Sequence, residues 1–338
     1  MRSSVIAFSP RRATARVACF LALSATALAS GSTLAQEPKA YPNQRVRLIV
    51  PFAAGGPTDV MARLIAEKLT DSFGKPFHVE NHPGAGGNIG MGLVKQAPPD
   101  GHTIWVVSSS FVVNPSLSAN PTYDVYRDFA PVTLAATTPS LLVAHPSLGV
   151  RTVEELVKYL KTHRDKGSIA SPGTGTTAHL AAETFKRALD LDLVHVPFGG
   201  AAPALNATLG GHVSLAFVGL SLAAPHVKQG TLHALATTGE TRSATLPDVP
   251  TMAEAGVPGD QVSDIMQAVL ARGGTPAETV ESIYRHIAKA LTQPDVKQRL
   301  EAIGFDVVAS TPAQFDARIK KEVPKWAKVI RDAQIKTE

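Results

Sequence analysis

The chain alternates between short unbroken apolar runs and apolar positions spaced three or four residues apart. Leu48, Ile49 and Val50 make the first run, the mark of a strand buried on both faces. Gly55 and Gly56 follow, then Pro57, a residue suited to the first position of a helix. Val60, Met61, Leu64, Ile65 and Leu69 then recur at helical spacing as far as Phe73 and the stop signal Gly74. Residues 77–81 predict a second strand, and residues 83–90 a glycine-rich loop opening a helix through Leu93 and Val94. Residues 103–107 predict a third strand that ends in Ser108, Ser109 and Ser110.

After a proline-rich connection, residues 132–144 read as one strand long enough to cross between two bodies. Thr152 and Glu155 make a capping box for a helix reaching about His163. Strand, glycine loop and helix start then recur twice. Residues 169–171 lead through Pro172-Gly-Thr-Gly-Thr-Thr-Ala-His179 into a helix containing Leu180, Phe185 and Leu189. Residues 194–198 lead through Gly199 and Gly200 into a helix over 201–209. Strands at 213–217, 232–237 and 262–271 and helices at 276–291, 294–303 and 312–333 complete the pattern. Strands alternating with helices predict an α/β protein with parallel-dominated sheets flanked by helices.

The first 35 residues stand apart. Arg2, Arg11, Arg12 and Arg16 precede an apolar run over 17–29 that is too short to span a bilayer. Small residues follow, and Thr33-Leu-Ala35 resembles a cleavage site, so residues 1–35 read as a signal peptide with Gln36 as the new terminus. Removal leaves 29 Lys and Arg against 28 Asp and Glu, a formal charge of +1 instead of +5. Nucleic acid is therefore not an expected partner. Cys19, the only cysteine, goes with the signal, so no thiol or disulfide chemistry remains. With 44% hydrophobic residues, the remaining length suits two domains with sizeable cores.

Candidate chemistry lies in the glycine loops. A strand–loop–helix turn directs free backbone N–H groups and a positive helix end to one point, which favours an anion. Ser108 and Ser109 lie at the carboxyl end of a strand, where ligands of α/β proteins commonly bind. Asp59, in the first turn of its helix, either stabilises the helix end or faces a ligand. His179 either contacts a ligand or caps its helix, and Met266 and Gln267 face either a cleft or the core. Ile89 breaks a dinucleotide fingerprint in residues 83–90, and there is no Walker A loop, G-x-S-x-G elbow or metal-ligand spacing around His179 and Glu183. The reading therefore contains no catalytic residue, metal or cofactor, and binding without chemistry is the better inference.

Five stretches together resemble a known family. They are residues 48–59, 79–90, 128–132 (Asp-Phe-Ala-Pro-Val), 195–198 (His-Val-Pro-Phe) and 246–256 (Leu-Pro-Asp-Val-Pro-Thr-Met-Ala-Glu-Ala-Gly). They resemble the Bug receptors, the TctC-like solute-binding components of tripartite tricarboxylate transporters in Gram-negative bacteria. The resemblance implies a two-lobed periplasmic binding protein of the type II, Venus-flytrap kind, with two crossing strands as hinge. One lobe would comprise 42–138 and 262–338, the other 139–261. It implies a monomer that closes on a small carboxylate and delivers it to membrane components, or one that signals the solute to a membrane partner. The implied ligand contacts are Phe52, Ala53, Ala54, Gly55, Thr58 and Asp59 on the first loop, with Ser108 and Ser109 nearby. The opposite lobe would add Ser171, Gly173, Thr174, Thr176, Thr177 and His179, then Pro197, Phe198, Gly199, Ala201, Phe217 and Val218. Two departures bear on ligand choice. The family often has Phe-Asp-Asn where Phe217-Val218-Gly219 stand, and Trp-Phe where Met266-Gln267 stand. Loss of the acidic wall group disfavours an ammonium.

Overall fold

The apolar runs become strands whose side chains are buried on both faces. The computed structural model describes residues 41–118, 120–163, 167–257, 264–332 and 335. The expected signal segment, and residues 262–263 of the expected return strand, lie outside them.

In chain order, β1 (Val46–Val50) leads to helix α1 (Pro57–Phe73), β2 (Phe77–Asn81) to α2 (Asn88–Gln96), and β3 (Thr103–Ser108) to the one-turn α3 (Ser110–Val113). Helix α1 starts with Gly56 extended and Pro57 at its first position. It ends at Gly74, in the left-handed conformation, which returns its N–H to the Thr70 carbonyl. The one-turn α4 (Val125–Asp128) precedes β4 (Phe129–Thr138) and β5 (Ser140–Ala144). The single crossing strand expected over 132–144 is thus two strands in two sheets. Pro139 separates them, because a residue with no N–H cannot continue a ladder; its carbonyl instead accepts from Leu220 N.

Helix α5 (Val153–Thr162) opens on a modified capping box. Thr152 accepts from Glu155 N at 3.1 Å, while Glu155 reaches one residue further back, to Arg151 N at 2.6 Å. Then come β6 (Ser168–Ser171), α6 (Thr177–Ala188), β7 (Val194–Pro197), α7 (Ala201–Leu209), β8 (Leu215–Gly219), α8 (Leu220–Lys228) and β9 (His233–Thr237). The chain finishes with β10 (Ile265–Arg272), α9 (Ala277–Leu291), α10 (Pro294–Ala302), β11 (Asp306–Val307) and α11 (Pro312–Asp332).

Two sheets result, with strand orders β11-β4-β10-β3-β1-β2 and β7-β6-β8-β5-β9. Both are mixed rather than parallel-dominated. β1 pairs in parallel with β2 and β3, and β6 with β7 and β8. The strands at the crossing, β4, β5 and β10, pair antiparallel. They do so because they run between the sheets instead of following a crossover helix.

Three cores hold this arrangement. One is common to both sheets: Trp105 and Met266 of the first join Leu142, Ile169 and Phe217 of the second, together with Phe185 of α6 and Phe315 and Trp326 of α11. The second lies under α1 and α9 around Leu48, Val106, Ile65 and Ile283, and the third under α7 and α8 around Val143, Val218 and Leu205. These assignments bring the carboxyl ends of β1 and β6, with their glycine loops, face to face.

Candidate functional site

Each loop is shaped by a side chain from the first turn of its own helix. Gly55 and Gly175 both have φ of +84°, a backbone state that suits glycine. Gly55 N donates to Asp59 Oδ2 at 2.9 Å, and Gly175 N donates to His179 Nδ1 at 3.2 Å, each four residues ahead. Asp59 also accepts from Arg63 Nε and Nη2 and from Asn81 Nδ2, at 2.9–3.0 Å. Burial alone would raise its pKa, but these bonds outweigh burial and hold the carboxyl below its ordinary value. His179 is pushed down to about 3, first by burial and then by the neighbouring His195 and Lys186 charges, so its ring is neutral.

Thr176 caps α6 by accepting from His179 N and donating to Gly173 O at 2.7 Å. Ser171 Oγ lies 2.7 Å from His195 Nε2 and accepts from Gly173 N. Both hydroxyls help to shape the loop. Ser109 likewise accepts from Met266 N at 2.8 Å.

The two halves touch at these loops. Ala53 N donates to Gly199 O at 2.9 Å. Gly86 packs so tightly that a β-carbon there would lie 2.0 Å from the Thr174 carbonyl oxygen. Beside these contacts is a partly open pocket of about 40 Å3. That space has room for a few waters. Its walls include Phe52, Thr58, Asp59, Ser108, Thr176, Thr177 and Ala201 of the expected residues. Gly56, Pro57, Pro172, Ala178, Gly219, Ile265 and Gln267 complete it and were not among them.

The remaining expected residues are elsewhere. Phe217 and Val218 alternate along β8 into the two cores on its faces, and Gly219 at the strand end takes the cavity position. Ala54 and Gly55 are exposed on the outer side of their loop. Thr174, His179 and Pro197 line a separate open groove with Glu183 and Lys186. Gly173 and Phe198 approach each other backbone to backbone: a β-carbon on Gly173 would lie 3.0 Å from Phe198 O.

His179, Glu183 and His195 bring ligand-type atoms within 4.8 Å of one another. They fit a metal poorly. Nδ1 of His179 takes the Gly175 N–H, which puts the ring proton on Nε2, and Glu183 is engaged by Lys186 Nζ at 2.9 Å.

The cavity suits a small anion. The first amides of α1 and α6 have no partner within their helices, and each helix end carries roughly half a positive charge. Asp59 does not cancel this, because Arg63 neutralises it. Among the described residues, the hydroxyls of Thr58, Ser108 and Thr177 make no hydrogen bond within the protein, and all three line the cavity. Two other depressions, around Arg151–His233–Asp248 and around Asn88–His179–Lys186, contain no fully buried side-chain atom lacking a partner. The interlobe cavity does: both Oε1 and Nε2 of Gln267 are buried and unpartnered.

Comparison with known proteins gives one consistent picture. Residues 61–335 match the family model described as "Tripartite tricarboxylate transporter family receptor". The chain is 36% identical over 298 residues to Protein BugT of Bordetella pertussis, covering 88% of this chain and 91% of that one. An R. palustris protein solved with adipate superposes with a TM-score of 0.83 at 33% identity, covering 88% of this chain and 99% of that one. MatC from Rhodopseudomonas palustris, solved with bound malate, superposes at 0.81 with 33% identity, covering 86% of this chain and all of that one.

Proposed function

Given that the chain belongs to the tripartite tricarboxylate transporter receptor (TctC) family, we propose that it captures a small organic acid between its two halves and passes it to the membrane components of such a transporter. The observation that carries this reading is the convergence of two helix starts on one pocket where Asp59, the one carboxylate among the described lining residues, is paired with Arg63. A carboxylate is held there by the first-turn amides of α1 and α6 and by the hydroxyls of Thr58, Ser108 and Thr177, with water filling the remaining gaps. No arginine clamp is used.

Relatives solved with adipate and malate support a carboxylated solute. The place of action is the periplasm, reached through the signal segment, and the working unit is a monomer. The halves correspond to 42–138 with 262–338 and to 139–261. The short link at Pro139 lets them part to admit solute, since the pocket between them has room for only a few waters.

Calorimetry on the purified mature protein with adipate, malate and a panel of mono-, di- and tricarboxylates tests the reading. Saturable binding of at least one acid is expected, with a rise in melting temperature that grows with its concentration. X-ray scattering should show a smaller radius of gyration with ligand than without. Failure of every carboxylate to bind would overturn the proposal.

A further inference from the structure

Gln267 is the least explained residue of the cavity. It is fully buried, and neither its carbonyl oxygen nor its amide nitrogen meets a partner. A buried carboxamide left so loses its hydration without compensation and destabilises the fold. Cores rarely retain such a group, and a hydrophobic side chain of the same length would fit β10 without that cost.

Its placement gives the carboxamide a use. Along β10, Ile265 and Gln267 line the cavity while Met266, between them, enters the core common to both sheets. The strand slips register against β4 between Gln267 and Ala268, the kind of irregularity that re-aims a side chain beside a site. Opposite Gln267 on β3 is Ser108, whose hydroxyl is also unused.

The chemistry of the two unmet atoms narrows the ligand. Nε2 only donates and Oε1 only accepts. A bare carboxylate answers Nε2 and itself offers Oε1 no donor; an alkyl chain answers neither. An ammonium beside a carboxylate answers both, but brings a positive charge into a pocket where the one carboxylate among the described lining residues, Asp59, is held by Arg63. A hydroxyl beside a carboxylate answers both atoms and adds no cation. We propose that Gln267 is the specificity-determining residue of the cavity and selects hydroxy-substituted carboxylates over their unsubstituted counterparts. This rests on the carboxylate-receptor reading above and sharpens it to a solute class.

The test is calorimetry with matched acids: malonate and tartronate, succinate and malate, glutarate and 2-hydroxyglutarate, with aspartate as the ammonium analogue of malate. Wild type should bind the hydroxy member of the best-fitting pair at least tenfold more tightly than its unsubstituted partner, and malate more tightly than aspartate. In Gln267→Met the ratio within the pair should fall to near one. The ligand-free variant should also melt at a higher temperature than wild type, because two unmet polar atoms have gone. Gln267→Leu repeats the test if the methionine variant folds poorly. A hydroxy preference that survives in the variants overturns the assignment, as does a wild type that binds carboxylates without that preference or binds aspartate as well as malate. A wild type that binds no carboxylate at all overturns the parent reading instead.

Discussion

The loops after β1 and β6 are two solutions to one problem. Both bend through a glycine at φ +84° and are tied by a side chain four residues on. The first tie is an ionised carboxylate with three further donors from Arg63 and Asn81; the second is a neutral imidazole beside His195. For a helix start to attract an anion, as proposed, its own tie must not cancel the positive end. The α1 loop meets this with a counterion and the α6 loop by avoiding charge altogether.

The largest expected break in this pairing comes from the charged tie. Asp59→Ala removes four hydrogen bonds at once, those from Gly55 N, Asn81 and Arg63, and should cost about 2 kcal/mol in chemical denaturation. His179→Asn keeps an acceptor for Gly175 and should cost about 1 kcal/mol. Equal losses would mean that the carboxylate is no better integrated than the ring.

The glycines separate the loops next. Alanine at either position suffers the same positive φ, roughly 1–2 kcal/mol. At Gly55 the new methyl meets only Ala202 at 3.6 Å, whereas at Gly175 it meets Asn114 Oδ1 at 2.2 Å. Gly175→Ala should therefore melt well below Gly55→Ala, and reversal of that order would place the contact between Gly175 and Asn114 in doubt.

Acid distinguishes the ties by pH. The folded pKa of His179 lies below its unfolded value of 6.5, so the unfolded chain binds more protons between pH 6.5 and about 3. The stability from this ring is full above pH 6.5 and falls as the pH drops, by about 1.5 kcal/mol from 6.5 to 5. Asp59 also has a depressed folded pKa, so its contribution is lost only on acidification below its ordinary value of 3.8. Denaturation of wild type and His179→Asn at pH 7, 6 and 5 should give diverging curves, with wild type losing more.

The smallest effect tests symmetry of the anion seat. Thr58→Ala and Thr177→Ala should each weaken binding of the preferred acid about tenfold by calorimetry. A loss confined to one would place the carboxylate at one helix end only.

Much of this was legible beforehand, and the reasons for the gaps are physical. Period and punctuation located α1 from Pro57 to Gly74 and the repeated loop at 172–179, because those signals are local. Helix α8 was missed because Gly219 offers no side-chain cap and Pro225 interrupts it; burial of Leu220, Ala223 and Ala224 holds it instead. The expected lobe boundary at 138/139 falls at Pro139, but the sequence reads as one strand across it because the residues on both sides are buried. Which hydroxyls remain available was not readable. Ser171 is engaged by His195, 24 residues away, and Ser109 by Met266, 157 away. Gln267 is ambiguous in sequence, since lack of a partner is a property of the assembled neighbourhood.

The bond from Ala53 N to Gly199 O has a wider meaning. It joins the halves through main chain alone, so residue replacement along either loop leaves donor and acceptor in place. Gln267 and Ile265, by contrast, enter the cavity from a strand that takes no part in that bond. The contact between the halves is thus insensitive to side-chain identity, while the wall at Ile265 and Gln267 depends on it entirely.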